Sequence, residues 1–320
     1  MYRRLTWVTF LYLSIFLFES ILTSTTLEED LKGLLPPVSE DHSTAIAQIR
    51  QAFRSRDLSL MRKKADEMIE QEPANFEGYF WRGFLELQRR DHHNAVRFLR
   101  RAEALDANCY VLKLLAISYY FLGQFRLFTK TMEQAILKQP SDFAPYYYLG
   151  RYYASNDVPE FSRAAGYFRQ ALTRNPHDYA SHYYLGYCRE SERQFKEAEQ
   201  EYRLSMKLAE AAGNKYALPY QGMARLRLLE NRPLDARQFA AQAVQFASND
   251  AASHVVLAKV YTALGQAIQA VPEWERAAVL DPTNPVPYYH LYRTYSALGN
   301  KEKANLAIMR YNALIAAYGK

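Results

Sequence analysis

The chain has 320 residues, 49% hydrophobic and 23% charged, an ordinary globular balance that excludes wholesale disorder. Twelve glycines and thirteen prolines are too few for a collagen-like, linker-like or turn-dense all-β chain, so helix is favoured. Forty Lys+Arg against 34 Asp+Glu leave a net charge of +6 spread along the sequence, which permits nucleic acid without pointing to it.

Residues 1–26 open with Arg3 and Arg4, continue with an apolar run from Leu5 to Phe18, and then pass Glu19 into a Ser/Thr-containing stretch. A short basic region followed by an apolar run is the layout of an export signal. The run falls short of the roughly 20 apolar residues that span a bilayer, and Glu19 would sit in hydrocarbon if it were extended. The expectation is a signal peptide cleaved near Ser24, with an uncleaved amino-terminal anchor as the alternative. Residues 27–42 are acidic and interrupted by Pro36-Pro37, and read as a tether.

From residue 43 to 318 one pattern recurs near every 34 residues. It consists of a small residue, a second twelve later, a third seven after that, and often a proline five further on. The unit from Ala251 shows it most clearly, with Ala258, Ala270, Ala277 and Pro282. Gly83, Ala95 and Ala102 repeat it, as do Ala116, Phe128, Ala135 and Pro140, and Gly150, Ala164, Ala171 and Pro176. So do Gly186, Ala198 and Ser205, and Ala224, Ala236 and Ala243. The unit from Phe143 carries two extra residues around Asn156 to Pro159, and the unit from Tyr179 ends in a longer loop through Ala211, Gly213 and Asn214. The unit from Pro285 keeps Leu291, Tyr295 and Ala304 but places Tyr292 and Tyr311 at small positions. A degenerate unit ending at Pro73, with Met61 and Met68 at small positions, reads as an amino-terminal cap.

This spacing describes two antiparallel helices per unit, with small side chains where the backbones approach and proline closing the second helix. In this register the sequence resembles the tetratricopeptide repeat. The resemblance implies an all-α fold, a right-handed superhelical α-solenoid of seven to eight antiparallel helix pairs over residues 43–318. It also implies a noncatalytic scaffold that holds a protein or peptide in its concave groove.

The chemistry-bearing motifs support that direction. No G-x-G-x-x-G, G-x-S-x-G or H-E-x-x-H occurs, and Phe84 follows Gly78 and Gly83 where a P-loop requires lysine. Asp91-His92-His93 is expected in a solvated turn within its unit, and His177 and His182 lack a third ligand, so neither metal nor other cofactor is implied. Cys109 and Cys188 have no C-x-x-C partner and lie two units apart, which disfavours a disulfide.

At 100° per residue, positions 2, 5, 9 and 12 of each first helix share one face, which in the resembled family lines the concave surface. Here it carries Phe80, Phe84, Lys113, Tyr147, Arg151, Tyr183, Tyr187, Gln221, Arg225, Lys259, Tyr289 and Arg293, with Glu190 as the acidic exception. Tyr and Arg are the side chains that dominate protein-binding hot spots. An acidic and apolar partner segment fits this face. Lys113 is at position 5 but Ile117 occupies position 9, so the family's clamp for carboxy-terminal carboxylates is not reproduced. The chain reads as an exported periplasmic or secreted protein with a role in envelope assembly, touching membrane only through residues 1–26 if these stay attached. An RNA-binding helical-repeat protein and a regulatory subunit of an envelope enzyme complex are the alternatives.

Overall fold

The computed structural model describes residues 44–155 and 159–318. The expected export segment and tether, residues 1–42, lie outside the described residues, and no described helix is long and apolar enough to cross a membrane. The described chain forms two compact units that divide at 156/157, inside the repeat that carries two extra residues.

The first unit holds α1 (Thr44–Arg54), α2 (Leu58–Gln71), α3 (Phe76–Gln88), α4 (His92–Leu105), α5 (Cys109–Phe121), α6 (Phe125–Lys138) and α7 (Ala144–Ser155). The second holds α8 (Phe161–Arg174), α9 (Tyr179–Ser191), α10 (Phe195–Ala211), α11 (Leu218–Leu229), α12 (Pro233–Phe246), α13 (Ala251–Ala263), α14 (Ala267–Leu280), α15 (Pro285–Ala297) and α16 (Lys301–Tyr318). Within each unit consecutive helices pack on one another, so the architecture is an all-α array of helix pairs with no strand among the described residues.

The recurrent small residues sit where the register places them. Gly83, Gly150, Gly186 and every alanine of the pattern from Ala95 to Ala277 are buried, as is Ser205. An added Cβ at Gly83 would lie 2.5 Å from Cγ of Leu99, so a larger residue in α3 would collide with α4. In α1 and α2 the same positions hold Ile49, Met61 and Met68, and all three are buried. The degenerate first repeat therefore keeps the packing with bulkier side chains.

Both kinds of turn obey a fixed chemistry. First helices start on an Asx cap: Asn75, Asn108, Asp178, Asp250 and Asn284 each accept a backbone N–H from the first turn of the helix that follows. Within a repeat, the residue just before the cap of the second helix is left-handed at Arg56, Arg90, Gly123, Arg193, Asn231, Gly265 and Gly299. Asp91 is one of these second-helix caps, bonding the Asn94 amide, and His92 lies in the first turn of α4 rather than in the turn before it. The His92 ring stacks on Phe121 at 4.5 Å, a packing role. Among the described residues no cluster of metal-ligating side chains occurs, and both cysteines are buried free thiols.

Candidate functional site

Burial divides the twelve residues of the position-2, 5, 9 and 12 face more sharply than periodicity does. Phe80, Phe84, Lys113, Arg151, Tyr183 and Gln221 are buried. Tyr147, Tyr187 and Arg225 are half-buried, and Lys259, Tyr289 and Arg293 are exposed.

In the first unit the expected groove residues are absorbed by packing. Phe84 meets Phe53 edge-on at 5.6 Å, and Trp81 meets both Phe80 and Phe84 in the same way. Lys113 is fully buried and donates to Asp142 Oδ2 at 2.5 Å, while Asp142 Oδ1 accepts the Ala144 amide at the start of α7. The lysine thus fastens one repeat to the helix cap of the next. Arg151 lies over the Tyr147 ring at 5.6 Å. These residues are a core between helices, which corrects their assignment to an open groove.

The second unit repeats the cap link with a neutral side chain. Gln221 Nε2 donates to Asp250 Oδ2 at 2.7 Å and to Ser253 Oγ at 2.8 Å, and Asp250 caps α13. Lys113 and Gln221 both occupy position 5, and both reach a cap 29 residues ahead. Gln221 is therefore also structural.

Between α9 and α11 stands a polar centre that sequence reading missed. Arg225 donates from Nε and Nη2 to the two oxygens of Glu190, each at 3.0 Å, and the Tyr202 hydroxyl donates to Glu190 at 2.5 Å. Tyr202 comes from α10 and is fully buried. It reaches the pair because an added Cβ at Gly186 would lie 2.8 Å from its ring and one at Gly222 only 2.5 Å. Tyr183 stacks on Tyr202 at 5.7 Å, and the Tyr187 ring faces the Arg225 guanidinium at 5.9 Å. Burial would disfavour the charge of Arg225, but the Glu190 carboxylate outweighs it and keeps the guanidinium protonated. Glu190, the acidic exception in the sequence, is thus the counter-ion of Arg225. The pair offers little net charge to a ligand.

Lys259 and Arg293 differ. They occupy position 9 of successive repeats, both are exposed, and neither has an ion pair among the described residues. Packing around its ammonium and the nearby Arg225 hold Lys259 below the ordinary lysine value. Between them His290 stacks on Trp274 at 4.3 Å. Burial, then Lys259 and Arg293, push this imidazole down to about 4, so it is neutral at physiological pH. Tyr289, 39% exposed, lies beside it. The exposed part of the face is therefore short, cationic and aromatic. It lies wholly in the last two repeats.

Comparison with solved structures settles the fold. The chain superposes on one component of the APC/C hetero-tetramer Cut9-Hcn1 with a TM-score of 0.67 at 15% identity, over 77% of this chain and 48% of that one. The chain has the tetratricopeptide-repeat fold. It spans about half the length of that first neighbour. A tetratricopeptide repeat protein from Parabacteroides merdae matches with a TM-score of 0.59 at 15% identity, over 82% of this chain and 97% of the other. PilF of Pseudomonas aeruginosa matches with a TM-score of 0.56 at 18% identity, over 69% and 97%. No protein-family model and no curated protein sequence matches the chain. The tetratricopeptide-repeat fold accounts for the helix pairs and their small-residue contacts.

Proposed function

We propose that the chain is an exported, noncatalytic scaffold that binds an acidic and apolar segment of a partner protein on the concave face of its last repeats, in the assembly of the cell envelope. The observation that carries this reading is the pair Lys259 and Arg293, exposed and without a carboxylate partner among the described residues, beside the exposed ring of Tyr289. Of the other cations of the face, Lys113 and Arg225 have one already, and Arg151 is buried over the Tyr147 ring. The charges set encounter rate and orientation, and the ring supplies buried area.

The test is a labelled peptide that alternates glutamate and phenylalanine, titrated by fluorescence anisotropy with stopped-flow kinetics. Lys259→Glu with Arg293→Glu slows association and flattens its salt dependence, whereas Tyr289→Ala speeds dissociation. Undiminished binding by the protein carrying all three changes moves the site off this face. Tighter binding of a poly-uridine probe than of the peptide, with an affinity falling steeply with salt, favours the RNA alternative instead.

A further inference from the structure

Helix α10 and the loop after it depart from the repeat. The helix has 17 residues, whereas α2, α4, α6, α8, α12 and α14 have 14 each. Three more residues lengthen it by about 4.5 Å, close to one turn. Helix α11 then starts on Ala217 with no side-chain cap, so the Asx start of five other first helices is missing here. Insertions in a repeat array map to loops on one face, often a binding face.

The insertion leaves a polar group stranded. In four repeats the fourth residue of the unit bonds the carbonyl six residues back: Tyr79 to Pro73 at 3.3 Å, Tyr146 to Pro140 at 3.4 Å, His182 to Pro176 at 3.1 Å and His254 to Ser248 at 3.0 Å. The equivalent residue of the unit from Ala217 is Tyr220. Six residues before it stands Asn214, inside the inserted loop, and the Tyr220 hydroxyl has no hydrogen-bond partner among the described residues. Burial and the Glu210 carboxylate push its pKa up, so the hydroxyl stays a donor.

Tyr220 lines a cavity of about 260 Å³ within the second unit. Met206, Tyr216 and Phe246 complete its apolar wall, with Glu210 and Lys215 exposed at the rim. The Tyr220 and Phe246 rings stand at 85° with centroids 5.1 Å apart, and Tyr179 braces the Tyr216 ring at 4.8 Å. Glu210 and Lys215 carry opposite charges, yet neither has an ion pair among the described residues.

We infer that this cavity binds a small zwitterion whose cation is a methylated ammonium, a betaine by chemical class. An unmethylated ammonium brings three N–H donors that need acceptors. The carbonyls of Leu208, Ala209 and Glu210 already accept the amides of Ala212, Asn214 and Gly213, which leaves the Glu210 carboxylate as the strong acceptor of this wall. A methylated ammonium has no N–H to satisfy and is held by aromatic rings. The carboxylate of the ligand goes to the Lys215 ammonium and the Tyr220 hydroxyl, the two donors of the wall without partners. The volume lies just below the about 300–1,000 Å³ of ordinary ligand sites, which suits a molecule of this size and not a larger cofactor.

The test is a titration of the full chain with glycine betaine, followed by saturation-transfer NMR on the ligand protons. Saturable binding is expected at about millimolar concentration or below, with glycine, which has the same charges and no methyl groups, at least about tenfold weaker. Glu210→Gln and Tyr220→Phe each weaken betaine at least about fivefold. Lys215→Met does the same but leaves tetramethylammonium binding unchanged, because that probe has no anion. Glu210 and Lys215 are exposed, so the helical circular dichroism of their variants matches that of the native chain. Glu197→Gln, on the first turn of α10, leaves betaine binding unchanged. Absence of saturable betaine binding up to about 50 mM overturns the inference. So does glycine binding as tightly as betaine, or betaine binding that survives Glu210→Gln combined with Lys215→Met. Tighter binding of N-acetylarginine amide than of betaine also overturns it, and assigns the cavity to a basic side chain of a peptide.

Discussion

Gly222→Ala probes whether Tyr202 fills the space between α9 and α11 as tightly as the geometry indicates. The new methyl would lie 2.5 Å from Cζ and 2.6 Å from Cε2 of the ring, about 1 Å inside ordinary carbon contact. The ring cannot step aside, because its hydroxyl is bonded to Glu190, Gly186 closes its other side and Tyr183 stacks against it. Overpacking of this kind costs about 1–3 kcal/mol. Alanine in place of glycine within a helix returns about 0.5–1 kcal/mol, so the net loss is about 1–2 kcal/mol. In a Tyr202→Leu background the ring is gone and only the helix gain remains, so the same change should stabilise by about 0.5–1 kcal/mol. The coupling of about 2 kcal/mol stands well outside the 0.3–0.5 kcal/mol scatter of independent sites. Urea titrations followed by near-ultraviolet circular dichroism on the four proteins measure it. Equal effects of Gly222→Ala in both backgrounds would refute the claim that the glycine exists to admit the tyrosine ring.

His182 supplies a pH dependence. Burial opposes its charge, but Glu201, at 2.7 Å from Nδ1, and the Pro176 carbonyl prevail and raise its pKa above the ordinary value. With the folded pKa above the unfolded one, the contribution is fully present below the unfolded value and is lost as pH rises through the folded value. The difference in urea midpoint between the native chain and His182→Gln should therefore be larger at about pH 5.5 than at about pH 8.5. The export reading has its own check. A carboxy-terminal reporter active only outside the cytoplasm should be active, and deleting Leu5 to Phe18 should abolish that activity; an inactive fusion to the intact chain removes export from the proposal.

The fold was legible because it is written in side-chain size. A residue as small as Gly83 or Ala171 at a helix crossing leaves a signal every 34 residues, and one register locates each helix pair. The candidate site was less legible because the first-helix face is not one depth. Periodicity places Lys113, Gln221 and Lys259 on the same face, but the first two reach a cap carboxylate in the following repeat and the third does not. A usable trace existed in Asp142 and Asp250, each 29 residues beyond its partner and each just ahead of a helix. Glu190 reads as an isolated exception until Arg225, 35 residues on, folds against it. Tyr202 left its trace only in glycine: Gly186 and Gly222 belong to different repeats, and a single-repeat register does not connect them.

The left-handed residue in each described turn limits how these repeats can diverge. Arg56, Arg90 and Arg193 hold the same backbone conformation as Gly123, Gly265 and Gly299, at a cost of about 1–2 kcal/mol each that glycine escapes. After duplication, every solvent-facing position of the turn can drift freely except this one, where branched side chains meet the backbone and are purged. The three arginines are thus tolerated exceptions, and the array carries in its turns a reserve of stability that selection has left unclaimed.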